Sequence, residues 1–381
     1  MPWSEVSTVM LRQEFVTLAE RPDANIRALC RRFGVSPETG YSWLRRYRQA
    51  GLTGLSDRSR RPAHSPRRTS QAIEQAVLEL RAAHPAWGGR KLAAVLRARG
   101  QPAPHPATIT AILRRHGQLG APGSRTQHHW QRFEQAAPNQ LWQMDFKGHF
   151  PLGATGQRCH PLTVLDDHSR YSLGIVACAN ERGATVQACL IRIFRRAGLP
   201  DRMLMDNGSP WGNDGEHRWT PLGVWLLRLG IGVVHGRPYH PQTQGKDERF
   251  HRTLLAEAIA GQVFGDLASA QRAFDAFRTT YNHVRPHEAC GLVPPIERYQ
   301  VSKRSFPETL PPIEYDAGAT VRMVQEGGQI HWQGRTYRIP AAFRGLPVAI
   351  RPSDEEAQWQ VYFLRHPIAT LDRLEDIGAI L

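Results

Sequence analysis

The region that decides the fold begins with three β-type segments, which read LWQMDFKGHF at 141–150, CHPLTVLD at 159–166 and YSLGIVAC at 171–178. Further along, apolar spacing predicts helices and strands that alternate, with helices at 183–197, 221–230, 243–261 and 267–283 and strands at 202–206 and 231–235. Strands followed by such an alternation indicate an α/β domain that is built on a mixed sheet.

The C-terminal segment has a different pattern. Its strand-like runs at 329–339, 347–351 and 358–363 are separated by turn residues. Short strands with regular turns are typical of small closed sheets, so we expect a small β-barrel domain over residues 315–375.

The N-terminal region predicts helices. Residues 25–50 favour two helices around a sharp turn, because the first has apolar residues at i, i+3, i+4 and i+7 and the second starts with Ser36 and Pro37. The second helix has an outer face with two arginines, formed by Glu38, Thr39, Tyr41, Ser42, Arg45 and Arg46. This pattern is typical of a DNA-binding helix-turn-helix, although a plain helical hairpin is the alternative.

A second unit of three predicted helices spans residues 70–117. It is basic at Arg90, Lys91, Arg97, Arg99, Arg114 and Arg115. Stretches rich in small and polar residues separate the regions, so we expect helix-turn-helix domains over 1–55 and 70–117, a basic linker over 56–69, a linker over 118–137, and the α/β core with its C-terminal helices over 138–300.

The charge of the chain is unevenly distributed. The 381 residues contain 49 Lys and Arg against 34 Asp and Glu, a net charge of +15. Residues 1–129 hold 21 − 8 = +13 of it, and residues 130–381 hold only 28 − 26 = +2. A basic N-terminal third indicates a polyanion-binding module, with a solubilising surface charge as the alternative.

Other features exclude several classes of protein. The five cysteines show no CxxC spacing, which argues against a disulfide scaffold and a cysteine-based zinc site and fits a reducing compartment. Residues 1–10 lack the apolar run of a signal peptide, and the most hydrophobic window, 222–234, is too short to span a membrane. We therefore expect a cytoplasmic protein with no membrane partner.

Three acidic residues occupy positions that suggest chemistry. Asp145 lies within a predicted core strand, Asp206 ends a second strand, and Glu248 lies near the start of a helix. On an ideal helix, Glu248 falls at the edge of the apolar arc, whereas Arg249 and Arg252 lie on its outer side and Glu257 on the opposite face. Three carboxylates form a hard oxygen site that suits Mg²⁺ or Mn²⁺ rather than zinc.

Neighbouring acids have a simpler explanation. Asp166 and Asp167 follow a β-type segment, so we interpret them as turn and packing residues, with Asp167 bonded to Arg170. The three histidines at 240, 251 and 287 are compatible with DNA contact or with packing.

Five motifs in this order resemble the integrase-core transposases of bacterial insertion sequences. They are WQMDFKG at 142–148, LDDHSRY at 165–171, DNGSP at 206–210, PQTQGKDERFHRTL at 241–254 and YNHVRPHE at 281–288. The insertion-sequence-481 family is the most similar, and it is related to the insertion-sequence-3 group and to retroviral integrases. The resemblance extends over nearly the whole chain, including IHWQGRTYRI at 330–339.

The resemblance implies an RNase H-like fold for the core, with Asp145, Asp206 and Glu248 as the catalytic triad that binds two Mg²⁺ or Mn²⁺ ions. Asp145 would bridge the ions, one activating the attacking oxygen and the other stabilising the leaving oxygen. Two departures from the family are Gln244, where Asn is usual, and Asp247, which adds a carboxylate beside Glu248. The zinc-binding domain of retroviral relatives has no counterpart here.

The implied function is a DNA transposase of the bacterial nucleoid, a polynucleotidyl transferase that nicks and joins strands at terminal inverted repeats and in target DNA. It implies a homodimer or larger assembly on double-stranded DNA. Expected DNA contacts are Thr39, Tyr41, Ser42, Arg45, Arg46, Arg90, Lys91, Lys246, Arg249 and Arg252. The alternatives are a catalytically silent DNA-binding regulator derived from a transposase and an RNase H-type nuclease without joining activity.

Overall fold

A computed structural model describes residues 7–58, 68–119, 134–153, 156–212, 219–236, 245–353, 358–372 and 379–380. The chain divides into two compact units, Met1–Arg68 and Thr69–Leu381, and the division falls within the predicted basic linker. Each unit has its own buried apolar clusters. His240, Gln244 and most of the predicted linker 118–137 lie outside the described residues.

The first unit is a bundle of three helices, α1 (Thr8–Ala19), α2 (Ile26–Arg32) and α3 (Pro37–Ala50), followed by a short 3-10 turn. Ser36 caps α3 by accepting a hydrogen bond from the Thr39 N–H, as its position before Pro37 predicts. Gly40 lets α3 pack closely on its neighbours, since a Cβ there would lie 2.4 Å from the Cys30 sulfur. The helix α1 was not among the predicted elements, although its Phe15 and Val16 are buried.

The second unit begins with another three-helix bundle, and its three predicted helices are confirmed. They are α4 (Gln71–Ala83), α5 (Gly89–Ala98) and α6 (Pro106–Arg115). Their apolar faces meet around Trp87, which is fully buried. Glu74 is also buried, and its carboxylate binds Arg115 at 3.1 Å.

The predicted mixed sheet is confirmed. Its strands are β1 (Trp142–Phe146), β2 (Phe150–Pro151), β3 (Arg158–Asp166), β4 (Ser172–Cys178), β5 (Arg202–Met205) and β6 (Gly232–His235). Strand β3 pairs antiparallel with β4 on one side and with β1 and the short β2 on the other. Strand β5 pairs in parallel with both β1 and β6. This order brings the C-terminal ends of β1 and β5 together.

Helices cover both faces of the sheet. The helices α7 (Gly183–Ala197) and α8 (Pro221–Arg228) pack on the face that carries Trp142 and Met144. The helices α9 (Gly245–Leu254) and α10 (Leu267–His283) pack on the other face. Because side chains alternate along a strand, Gln143 and Asp145 point towards the α9 side.

The helix predicted over 243–261 is shorter in the structure. The regular helix α9 ends at Leu254, and a π-helical turn, Leu255–Ile259, follows it. The wider turn changes the direction of the side chains after residue 254. Glu257 lies in this turn, and its side chain is 12% exposed.

The C-terminal region contains strands, as expected. The strands β7 (Thr320–Met323), β10 (Pro347–Pro352), β11 (Gln358–Phe363), β12 (His366–Asp372) and β13 (Ala379–Ile380) form one sheet, and β8 (Gln329–Trp332) pairs with β9 (Arg335–Arg338) in a hairpin. Among the described strands no pairing joins the edges β7 and β13, so closure into a barrel stays a prediction. No helix in the described part of the chain is long and apolar enough to cross a membrane.

Candidate active site

Asp145 and Asp206 lie at the ends of neighbouring parallel strands. The register of β1 and β5 pairs Gln143 with Leu204, so two residues further along Asp145 lies level with Asp206. Both side chains are half-buried. The structure therefore brings together two of the three carboxylates that the sequence singled out.

These two carboxyl groups are destabilised in their charged forms. Burial, and then the nearby charge of Asp206, raises the pKa of Asp145 to about 6. Burial also raises the pKa of Asp206, partly opposed by the Gly208 N–H, which donates to its Oδ1 at 3.1 Å. A divalent cation between such groups would relieve both the desolvation and the repulsion.

The inward face of α9 lies against β1, and it carries Asp247 and His251. These residues are one helical turn apart, and both are buried. The His251 Nδ1 atom lies 3.9 Å from Asp145 Oδ2, and its Nε2 atom lies 2.8 Å from Thr163 Oγ1. Burial, with a smaller contribution from Lys147, lowers the pKa of His251 to about 4, so this imidazole is neutral near pH 7.

Glu248 lies on the outer side of α9, which corrects its predicted position at the edge of the buried arc. Its side chain is 75% exposed and pairs with Arg252 at 3.5 Å. Asp247 is instead the α9 carboxylate on the side of Asp145, and burial raises its pKa well above the usual range. The i, i+4 spacing of Asp247 and His251 was the sequence signal that could have shown this face.

The chemistry of the donor atoms suits a hard cation, although their positions in the structure are not close enough to coordinate one. Among the described side chains no group of three or more carboxylates, histidines or cysteines stands close enough to hold a metal ion. The donor set is nevertheless rich in oxygen, and the buried Asp247 Oδ1 has no hydrogen-bond partner. An orphaned carboxylate oxygen beside Asp145 is what a site for Mg²⁺ or Mn²⁺ would leave when its ligands are not drawn together.

A buried polar network lies beside this pair. Asp167 accepts hydrogen bonds from Gln143 Nε2 at 2.6 Å and from Lys246 Nζ. The expected bond between Asp167 and Arg170 is present, and in it Arg170 donates to the Asp167 backbone carbonyl. Lys246 is mostly buried in its ion pair with Asp167, so its predicted role in DNA contact stays a proposal that must compete with this pair.

The outer face of α3 is available for a partner, with one exception. Thr39, Tyr41, Ser42 and Arg45 are exposed. Arg46 instead packs its guanidinium 4.1 Å from the Trp43 ring centre and donates to the Ser56 carbonyl, so its outward placement was wrong.

The predicted basic residues at the start of α5 contact the core of their own unit. Arg90 pairs with Glu288 at 3.6 Å, and Lys91 is half-buried. Burial, then the charge of Arg285, lowers the pKa of Lys91 to about 8. Nearby, Glu257 accepts a hydrogen bond from Trp87 Nε1 at 3.2 Å and pairs with Arg285 at 3.0 Å. The predicted role of Arg90 and Lys91 in DNA contact stays a proposal that must compete with these pairs.

Comparison with protein families places each region of the chain. Residues 135–241 and 229–295 each match an integrase core domain. Residues 39–113 match a homeodomain-like domain, and residues 11–63 match a helix-turn-helix domain. Residues 319–376 match the C-terminal domain of IS481 family transposases.

Individual relatives come from insertion elements. The chain is 28% identical over 256 residues to the 39.2 kDa protein of insertion element IS476 from Xanthomonas euvesicatoria, covering 66% of this chain and 71% of that protein. It is 27% identical over 257 residues to the 31.7 kDa protein of insertion element IS407 from Burkholderia multivorans, covering 66% and 88%.

Among solved structures, the simian T-cell lymphotropic virus intasome in complex with PP2A regulatory subunit B56 gamma aligns with a TM-score of 0.37 and 16% identity, covering 76% of this chain and 97% of that chain. The family matches, in contrast, agree in order and position along the sequence. The chain therefore belongs to the insertion-sequence transposases of the IS481 type, which are related to the retroviral integrases.

Proposed function

We propose that this protein binds the terminal inverted repeats of an insertion sequence and catalyses metal-dependent strand nicking and strand transfer. The observation that carries the proposal is the pair Asp145 and Asp206, two carboxyl groups with raised pKa values at the ends of adjacent parallel strands. An integrase core belongs to a polynucleotidyl transferase family, so phosphoryl transfer is the chemistry that such a pair would serve.

We infer that Asp145, Asp206 and Glu248 hold two Mg²⁺ or Mn²⁺ ions. When bound, such ions activate an attacking oxygen and stabilise the charge that develops on the leaving oxygen at phosphorus. Carboxylate oxygens alone suit these cations rather than zinc.

The residues around Asp145 would prepare it for this task. His251 is neutral near pH 7, because burial lowers its pKa to about 4, so it adds no positive charge that competes for the carboxylate. Thr163 donates to the Asp145 backbone carbonyl at 3.0 Å and shares a hydrogen bond with His251, which fixes the strand against α9.

Glu248 requires a rotation of its side chain. Its present partner Arg252 is 71% exposed, and ion pairs this exposed are worth at most about 1 kcal/mol, so the pair is easily exchanged. We propose that DNA phosphates take over Arg252 and the exposed Arg249, and that Glu248 then turns towards Asp145 and Asp206.

Recognition of DNA ends is assigned to α3. Its exposed Thr39, Tyr41, Ser42 and Arg45 form a helix face of the kind that enters a major groove. Joining requires two ends in one complex, so we propose a homodimer or larger assembly on DNA.

The experiment is incubation of the full chain with labelled DNA from its own element ends and Mg²⁺, followed by separation of nicked and joined products. We expect Asp145→Asn, Asp206→Asn and Glu248→Gln each to reduce product formation at least about a hundredfold without additive effects, since the three act as one unit. DNA binding should stay within about twofold of the wild type.

The matched control is Asp275→Asn, which removes an exposed carboxylate from α10. Asp275 pairs with Arg278 of the same helix and not with a residue of the proposed metal site. It should leave nicking unchanged. DNA binding without any product in the wild type would contradict the transposase proposal and indicate the silent regulator instead. Nicked but never joined products would indicate the simple nuclease.

A further inference from the structure

Asp247 is a buried acid whose surroundings do not neutralise it. Its side chain is 2% exposed, and its Oδ1 atom has no hydrogen-bond partner. A buried polar group without a partner costs about 1–3 kcal/mol, and an unpaired buried charge costs more. A cation bound beside Asp247 would give this oxygen a partner and remove that cost.

The geometry of α9 directs Asp247 towards Asp145. His251 lies one turn further along the same helix face, and its ring reaches within 3.9 Å of the Asp145 carboxylate. Glu248, the neighbouring acid, points away and is 75% exposed. Asp247 is thus the α9 acid on the Asp145 side.

A second orphaned oxygen lies on the strand that faces α9. Gln143 is two residues before Asp145 on β1 and therefore shares its face, and the buried Gln143 Oε1 has no hydrogen-bond partner. Two oxygens from the two facing elements thus lack a donor. A cation satisfies such oxygens, whereas additional acceptors would not.

The nearby positive charges are already engaged. Among the charges that act on Asp247 are those of Asp145, Asp167, Lys246 and Arg170. Lys246 binds Asp167, and Arg170 binds the Asp167 carbonyl and Glu134. Both positive side chains are therefore bonded to other groups, and neither forms an ion pair with Asp247.

We propose that Asp247 is a fourth carboxylate of the metal site, which faces Asp145 from α9 and binds Mg²⁺ or Mn²⁺ together with Asp145 and Asp206. The inference rests on the proposed function, since it assigns a further ligand to the same site. In this arrangement α9 contributes two adjacent acids, Asp247 from its buried side and Glu248 from its exposed side.

The test measures metal binding directly, without catalysis. Free Mn²⁺ is quantified by electron paramagnetic resonance during titration of the DNA-free full chain, and the thermal unfolding midpoint is followed with and without Mn²⁺. The variants are Asp247→Asn, Asp247→Val, Asp145→Asn and the control Asp275→Asn. Val replaces the acid by an apolar group that suits a buried site, so it provides a folded variant if the amide does not.

We expect both Asp247 variants to weaken Mn²⁺ binding by roughly 10–100-fold, as loss of a residue that supports a metal site typically does. The same variants should unfold at a higher temperature than the wild type without metal, and they should lose most of the Mn²⁺-induced rise. Asp275→Asn should match the wild type in both measurements.

Two outcomes are decisive in the other direction. If Asp145→Asn weakens Mn²⁺ binding while both Asp247 variants bind like the wild type, Asp247 is a packing residue and the inference is wrong. If neither Asp145→Asn nor the Asp247 variants change Mn²⁺ binding, the site of the proposed function is itself wrong.

Discussion

The two helix-turn-helix bundles use similar sequence patterns for different contacts. In the first unit, α3 keeps Arg45 exposed and stacks Arg46 on Trp43 within its own bundle. In the second bundle, two residues contact acids of the integrase core: Arg90 of α5 pairs with Glu288, and Trp87, which precedes α5, donates to Glu257. A basic helix face therefore indicates an electrostatic partner, but the partner can be DNA or the acids of the same chain.

The largest expected contrast lies between the two tryptophans. Trp87→Ala should destabilise the second bundle by about 3–5 kcal/mol, because the side chain is fully buried and its loss leaves a cavity. Trp43→Ala should cost about 1–2 kcal/mol, since Trp43 is only half-buried between Arg12 and Arg46. Thermal unfolding with hydrogen exchange resolved over α1–α3 and α4–α6 measures both, and equal losses would remove the distinction.

An intermediate contrast involves ion pairs. Glu257→Gln should destabilise the second unit by about 1–3 kcal/mol, because Arg285 and Glu257 are 8% and 12% exposed and the variant leaves the guanidinium without its counter-charge. Glu14→Gln in the first unit removes an exposed pair with Arg32 and should cost at most about 1 kcal/mol. Urea unfolding of the full chain compares the two. A Glu257 variant as stable as the wild type would mean that this contact does not hold α5 to the core.

The last contrast concerns the free energy of DNA binding rather than that of unfolding. Arg45→Ala should lower the preference for the terminal repeat over scrambled DNA by about 1–3 kcal/mol, as loss of a base contact does. Lys91→Ala should leave that preference nearly unchanged, because Lys91 is half-buried beside Arg285 and a lysine contact to phosphate carries no sequence information. Binding titrations at several salt concentrations distinguish them.

Arg46→Ala is the matched control for Arg45→Ala. It should loosen the packing on Trp43 and leave the preference for the repeat unchanged. A larger loss of preference for Lys91→Ala than for Arg45→Ala would reverse the roles of the two bundles.

The sequence predicted most of the core because its signals are local and repeated. The helices α7 and α10 match their predicted ranges, and the strands match within a few residues. Asp145 and Asp206 lie at the ends of adjacent parallel strands, but the α/β alternation predicted only a mixed sheet, and the strand order that brings them together comes from the structure. The helix α1 was missed because its first turns expose apolar residues such as Met10, which obscures the periodicity.

The remaining errors concern side-chain direction. Glu248 was assigned to the cleft from the apolar arc of an ideal helix, but the apolar Leu255 is exposed in the π-helical turn and does not belong to the buried face. Correcting that arc rotates the buried face towards Asp247 and His251. Arg46 was expected on the outer face of α3 and Lys246 was expected to contact DNA, yet both long side chains bend back, to an aromatic ring and to a buried acid. Helical spacing alone does not predict where the end of a long side chain binds.

The half-buried amine of Lys91 gives the chain an intrinsic spectroscopic reporter. The sequence has only four lysines, at positions 91, 147, 246 and 303. Burial, and then the charge of Arg285, lowers the pKa of Lys91 from 10.5 to about 8, so this amine should titrate at a lower pH than an ordinary lysine. Isotope-labelled methyl groups on the four amines would give nuclear magnetic resonance signals that titrate at different pH. Movement of α5 away from the core would return the Lys91 signal to an ordinary titration, which makes the docking of this bundle visible during DNA binding.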